Sequence, residues 1–199
     1  EHVAASAGNL VVWDLSHATG VLDLRLAERG AKLAAGCTYK FLNGGPGAPA
    51  FVYARADIAQ QLHSPILGWF GQKDQFDFGA AYVAKDGAAR FATGTPPVLS
   101  LSALDAALDA FDGVDLAVGA AKARSLGDLV IARTASLGLE TISPGEPARR
   151  GGHVSVRHQH GYADVQALIA RGLIPDFRAP DAMRFGLAPL YVRFVDVWD

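Results

Sequence analysis

The sequence predicts an α/β fold, because strand and helix signals alternate along the first third of the chain. Three short apolar runs, at 9–14, 33–39 and 50–54, are bounded by turn-forming residues, which is typical of buried strands. Between the first two runs, residues 22–29 suit a short helix that ends at Gly30. A strand, a crossover and a second strand at this spacing indicate a sheet of the α/β class.

The elements that follow are predicted from turn residues and from periodicity. Glycines and prolines at 43–49 predict a tight loop before the third strand. Residues 63–97 show no clean period, and long irregular segments of this kind are usually functional. After Pro97, leucines at helical spacing predict an amphipathic helix, and an Ala- and Leu-rich stretch at about 114–137 predicts a second helix.

Beyond residue 138 the pattern changes to that of a small α+β domain. A strand, a helix and two extended segments are predicted there, at 153–157, 162–171, 173–178 and 183–187. We therefore expect two domains. The larger covers 1–137 and includes the linking helix, and the smaller covers 138–199.

Composition and charge exclude several classes of protein. With 50% hydrophobic and 19% charged residues, the chain has a globular composition. A net charge of −2 gives no basic footprint for nucleic acid or for a membrane surface, and no apolar run approaches the roughly 18 residues of a membrane span. The single cysteine, Cys37, forbids an internal disulfide. We expect a soluble, cytoplasmic protein without a nucleic-acid or membrane partner.

A pair of polar residues lies at the end of each of the first two predicted strands. Asp14 ends the first strand with His17 close behind it, and Tyr39 and Lys40 lie at the end of the second. Ligands of open α/β sheets bind at the carboxyl ends of strands, where a carboxylate can pair with a pyridinium nitrogen and an amine can form a Schiff base. Taken singly, Asp14 also suits a turn or helix cap, and Lys40 a solvated surface position.

Longer motifs resemble those of the kynureninase family. They are WDLSHATG at 13–20, GCTYKFLNGGPG at 36–47, and shorter matches at 68–71, 94–97 and 184–191. This family contains pyridoxal 5'-phosphate (PLP) enzymes with the aspartate-aminotransferase fold, called fold type I. The resemblance covers nearly the whole chain. It implies the C-terminal part of such an enzyme, with part of a mainly parallel sheet, helices and a small α+β domain.

The resemblance implies a role for each of the polar residues at the strand ends. Lys40 would bind the aldehyde of PLP and later move the substrate proton. Tyr39 would bind the phosphate and assist proton transfer. Asp14 would face the pyridinium nitrogen and favour its protonated form. His17 would lie beside the ring and near the substrate.

Three further residues gain roles from the same resemblance. Trp69 and Thr95 match positions that complete the phosphate site from the partner subunit of a homodimer. Thr95 also bears on the choice between kynurenine and its 3-hydroxy form. Arg184 would bind the substrate carboxylate in the bidentate manner that lysine cannot reproduce. No metal is expected, because the only suggestive histidine spacing, His158-x-His160, lacks further ligands.

The implied reaction is hydrolysis of L-kynurenine or 3-hydroxykynurenine to anthranilate or 3-hydroxyanthranilate and L-alanine, a step of tryptophan catabolism. Two alternatives remain open: a class V aminotransferase or cysteine desulfurase on the same fold, and an inactive fragment that serves as a structural partner. Cys37, three residues before Lys40, is poorly placed for desulfurase chemistry. Family members are considerably longer, and the chain begins without an initiator Met, so we expect further sequence before Glu1. Gln72 stands where some relatives carry His.

Overall fold

Three short strands form the sheet of the first compact unit in this computed structural model, which describes residues 10–198. They are β1 (Val12–Asp14), β2 (Leu33–Cys37) and β3 (Ala50–Ala54), in the order β1-β2-β3. Strand β1 is parallel to β2, and β2 is antiparallel to β3. Strand β3 runs back along β2 because the loop between them contains no crossover helix, which a parallel return would need.

The connection between β1 and β2 consists of turns, so the helix predicted over 22–29 is wrong. Arg25 has a φ of 42°, which lies in the left-handed region and interrupts a right-handed helix. A single turn remains, in which the N–H of Ala31 donates to the carbonyl oxygen of Leu26 at 2.9 Å. Gly30 closes this turn with a φ of 70°, so the predicted glycine terminus is present without its helix.

The rest of the first unit is mostly irregular, as the sequence predicts. Helix α1 covers Ala56–Ala59, and short 3-10 turns lie at Trp69–Gly71 and Gly87–Phe91. Helix α2 (Val98–Leu108) begins directly after Pro97, at the predicted place. No residue of α2 is buried, and Leu99 is 89% exposed. Its apolar side chains are therefore not part of a core in the described chain.

The second unit combines helices with an antiparallel sheet. Its first helix, α3 (Leu116–Ser136), is capped by Asp115, whose carboxylate accepts the N–H groups of Ala117 and Val118. The strands of the sheet pair in the order β4-β5-β7-β6, and all three pairs are antiparallel. In chain order the remaining elements are β4 (Glu140–Thr141), β5 (His153–Arg157), α4 (Gly161–Ile169), β6 (Asp176–Arg178), β7 (Ala182–Gly186) and α5 (Phe194–Trp198).

The core of the second unit lies against one face of this sheet. Alternate positions of β5 and β7 contribute to it, because successive side chains of a strand point to opposite faces. The buried cluster comprises Leu126, Val130, Val154, Val156, Val165, Met183 and Leu187. Met183 and Phe185 belong to the core side of β7, so Arg184 between them lies on the opposite face of the sheet.

The boundary between the two compact units falls in the sequence between Asp109 and Ala110. The short stretch Gly20–Asp23 also belongs to the second unit. Helix α3 therefore packs with the second unit, whereas the sequence analysis placed it at the end of the first domain. The domain assignment of 1–137 and 138–199 stays a prediction. Within residues 10–198, every helix is too short or too polar to cross a lipid bilayer.

Leu126→Ala should lower the free energy of unfolding of the second unit by about 2–5 kcal/mol, because Leu126 is fully buried and its truncation leaves a cavity. Leu137→Ala is the matched control. The Leu137 side chain is 74% exposed, and its loss should change stability by about 0.5 kcal/mol or less. Urea denaturation of both variants measures the difference. Equal effects would contradict this account of the core.

Candidate active site

The parallel pairing of β1 with β2 brings the carboxyl ends of both strands to one edge of the sheet. Asp14 is the last residue of β1 and lies opposite Ala35 of β2. The pairing continues one residue further, because the N–H of Leu15 donates to the carbonyl oxygen of Ala35 at 2.8 Å. The Cys37 thiol then contacts the carbonyl oxygen of Ser16 at 3.7 Å. The loop after β1 therefore lies directly beside the end of β2.

An amine, an imidazole and a carboxylate lie together at this edge. The Nζ atom of Lys40 is 3.5 Å from Nδ1 of His17. The exposed carboxylate of Asp14 accepts the backbone N–H of Ser16 at 2.8 Å. Hydrogen bonds from the side chain and backbone of Ser16 lower the pKa of Asp14. Desolvation partly opposes them, and the charges of Lys40 and His17 make the smallest contributions, which also lower the pKa. Asp14 is therefore an anion at neutral pH.

The backbone that carries Tyr39 and Lys40 is fixed by the loop that follows. The N–H of Asn43 donates to the carbonyl oxygen of Lys40 at 2.9 Å, and the N–H of Gly44 donates to that of Thr38 at 3.0 Å. A Cβ atom at Gly44 would lie 2.9 Å from the Thr38 oxygen, so glycine permits this close approach. Tyr39 is 50% exposed, with its ring centroid 5.4 Å from the Lys40 amine.

Trp69 and Thr95 lie on two stretches of the irregular segment that contact each other. The N–H of Phe70 donates to the carbonyl oxygen of Thr93 at 3.1 Å. A Cβ atom at Gly68 would lie 2.2 Å from that same oxygen, so the two stretches touch backbone to backbone. The Trp69 ring packs edge-on against Phe70, at a centroid distance of 4.9 Å, and remains 44% exposed. Thr95 is exposed as well.

Arg184 belongs to the second unit, where it lies in the middle of β7. Its Nη2 atom forms an ion pair with Oδ2 of Asp176 in β6, the residue directly opposite it in the strand register. Arg184 lies on the face away from the core, and its side chain is 25% exposed. A partly exposed guanidinium suits the binding of a carboxylate.

Two solved enzyme structures share the architecture of this chain. A cysteine desulfurase from Thermococcus onnurineus NA1 matches 99% of this chain and 52% of its own, with a TM-score of 0.78 and 16% identity. A mutant of the cystine C-S lyase C-DES, with glycine covalently linked to its PLP cofactor, matches 90% of this chain and 47% of its own, with a TM-score of 0.72 and 18% identity. At this identity the likeness shows the fold alone, which is PLP fold type I, as predicted.

Residues 120–199 match the family model of the kynureninase C-terminal domain. The kynureninase of Pseudomonas fluorescens is 44% identical over 96% of this chain, and that of Deinococcus radiodurans is 46% identical over 98%. The chain spans about half the length of these relatives, 47% and 48%. Residues 120–199 therefore match a kynureninase C-terminal domain, and nearly the whole chain is similar to kynureninases, which confirms the resemblance seen in its motifs.

The structure brings Asp14, His17, Tyr39 and Lys40 to one sheet edge, while the functional roles of all predicted site residues stay predictions. Two residues near these positions were not found from the sequence. Ser16 follows Asp14 by two positions, which is the signature of a turn closed by an aspartate side chain and could have indicated it. Asp176 carries no such local signal, because its contact depends on the pairing of two strands.

Ser16→Ala should raise the pKa of Asp14 towards its usual value, because the variant removes the side-chain hydrogen bond that contributes most to the shift. A carbon-13 NMR titration of the aspartate carboxyls measures this change. Asp57 is an internal control, since its pKa is lowered mainly by a hydrogen bond from Arg55 and should not move. An unchanged Asp14 titration would contradict the assignment.

Gly68→Ala should destabilise the Trp69 stretch by about 1–3 kcal/mol, because its methyl group would overlap the backbone of Thr93. Tryptophan fluorescence during urea denaturation follows this stretch when the other two tryptophans, Trp13 and Trp198, are replaced by phenylalanine. Gly79→Ala is the control, because a Cβ atom there meets nothing within 4 Å. Retained stability and unchanged emission in Gly68→Ala would show that the contact with Thr93 is not tight.

Proposed function

We propose that the protein is a PLP-dependent hydrolase that cleaves L-kynurenine or 3-hydroxykynurenine to anthranilate or 3-hydroxyanthranilate and L-alanine. The observation that carries this proposal is the group of Lys40, His17 and Asp14 at one sheet edge. It supports the proposal because the chain that holds the group is 44–46% identical to kynureninases over nearly its full length. We further propose a cytoplasmic homodimer.

The chemistry of these side chains fits PLP. A primary amine at Lys40 suits the aldehyde of the cofactor, and an anionic carboxylate at Asp14 suits a protonated ring nitrogen. The hydroxyl of Tyr39, a residue that is 50% exposed, suits the phosphate group. When bound, PLP supplies an electron sink that stabilises negative charge developing at the substrate α-carbon.

Proton transfer is the task of Lys40 with His17. A protonated amine can donate to the unprotonated Nδ1 atom of the imidazole, and the 3.5 Å separation is at the outer limit of such a hydrogen bond. Lys40 removes the proton from the α-carbon and returns it later, while His17 orients the amine and stabilises its charge. Tyr39 lies beside Lys40, where its hydroxyl can assist.

The remaining residues bind and orient the cofactor and the substrate. Asp14 remains charged through the cycle because Ser16 stabilises its anion. Arg184 binds the substrate carboxylate, and this contact selects amino acids. Trp69 and Thr95 complete the phosphate site from the partner subunit. Their exposure is consistent with a contact outside their own chain.

A cysteine desulfurase activity on the same fold is less well supported. Such an enzyme needs a mobile catalytic thiol, whereas Cys37 ends strand β2 and its thiol contacts the carbonyl oxygen of Ser16. For an aminotransferase the expected products are a keto acid and pyridoxamine phosphate. For an inactive structural fragment neither these products nor anthranilate would form.

Lys40→Ala should abolish the visible absorbance of bound PLP, because the amine that binds the PLP aldehyde is lost. It should also lower the rate of anthranilate release from kynurenine by about 10³-fold or more, because the group that carries the proton is lost. Absorbance spectra and an anthranilate fluorescence assay of the intact protein measure these effects. Lys32→Ala, which alters an exposed lysine just before β2, is the control and should retain both signals.

Visible absorbance in the wild type without anthranilate release would leave a PLP enzyme of another specificity. If neither signal appears in the intact wild-type protein, the proposed function is wrong.

A further inference from the structure

We propose that Asp176 is a positioning residue for Arg184, and that it makes Arg184 selective for an oriented substrate carboxylate over simple anions. This inference rests on the proposed function, in which Arg184 binds the carboxylate of the substrate. The contact between the two residues belongs to the second unit alone.

The geometry makes Asp176 the neighbour that orients the guanidinium. Asp176 and Arg184 lie directly opposite each other in the antiparallel pair of β6 and β7. Side chains in such a pair are about 5 Å apart at their Cβ atoms, so their contact follows from the strand register. The ion pair joins Oδ2 of Asp176 to Nη2 of Arg184. A guanidinium is planar and rigid, so one fixed nitrogen restricts the whole fork and leaves its other N–H donors for a ligand.

The charges around this pair explain why an aspartate is needed rather than an uncharged residue. The same Oδ2 atom of Asp176 also lies 3.0 Å from Nη2 of Arg178. The cluster of two arginines and one aspartate therefore carries a net single positive charge, which matches one substrate carboxylate. Without the aspartate, two neighbouring cations would attract any small anion and would lose the group that orients them.

Asp176→Asn should raise the KM for kynurenine about three- to tenfold with little change in kcat, because the neutral amide oxygen holds Arg184 more weakly than a carboxylate and the arginine must be ordered when the substrate binds. A contact made equally to substrate and transition state affects KM and not kcat. Competitive inhibition by sulfate should become stronger in the same variant. A loss of packing alone would not strengthen sulfate inhibition, so this measurement separates positioning from a structural role.

Two further variants make the test specific. Asp181→Asn neutralises another carboxylate of the second unit that binds an arginine, Arg157 at 3.1 Å, and should leave the KM and sulfate inhibition unchanged. Asp176→Glu restores the negative charge on a longer side chain. It should return sulfate inhibition to the wild-type level while the KM stays raised, because the charge is present but its position is shifted.

The outcomes distinguish this inference from the proposed function. If Arg184→Ala raises the KM but Asp176→Asn changes neither the KM nor sulfate inhibition, the positioning role is overturned and the role of Arg184 stands. If Arg184→Ala leaves the KM unchanged, Arg184 does not bind the substrate carboxylate, and that part of the proposed function fails together with the inference. Equal effects of Asp176→Asn and Asp181→Asn would also overturn it.

Discussion

The parallel pairing of β1 with β2 is the constraint on which the candidate site depends. In a parallel pair both carboxyl ends lie at one edge, which places the residues after Asp14 beside those after Cys37. If β2 ran the other way, its end would lie about 17 Å from that edge, the length of a five-residue strand. Lys40 could not then contact His17. The irregular turns between the strands matter for the same reason, because they carry the chain back to start β2 in parallel.

The two candidate binding groups, Asp14 at the sheet edge and Arg184 in the second unit, are each held in place by hydrogen bonds while they stay at least partly exposed. Asp14 is exposed, and the donors of Ser16 rather than a lysine partner contribute most to its lowered pKa. Since the folded pKa lies below the usual value, the stability that this group contributes is present above that value and is lost as the pH falls through the folded pKa. In the second unit, Asp176 and Arg184 are partly exposed as well. Exposed pairs of this kind contribute little to stability, so their main effect is on orientation.

The sequence predicted what depends on local signals. Strands β1, β2 and β3, the helices α2 and α3 and the polar residues at the strand ends all follow from apolar runs, spacing and turn residues. The prediction of a helix over 22–29 was wrong for local reasons too. Leu22, Leu24 and Leu26 recur at every second position, which is not a helical period, and Arg25 adopts a positive φ. The contact of Asp176 with Arg184 depends on strand register, which periodicity does not give.

The irregular segment shows a second limit of sequence patterns. There, hydrogen bonds from one buried side chain hold the backbone in place, instead of the regular backbone hydrogen bonds of a helix or sheet. Arg90 is only 8% exposed, and its guanidinium donates to the carbonyl oxygens of Lys85, Gln60 and Leu62 and to the side chain of Gln60. Four hydrogen bonds to neutral acceptors offset the cost of burying this cation. They tie the end of α1 to the turn Gly87–Phe91, which itself contacts the turn Trp69–Gly71. Order that comes from one side chain leaves no period in the sequence, so the irregular backbone of this segment was predictable, whereas the contacts that order it were not.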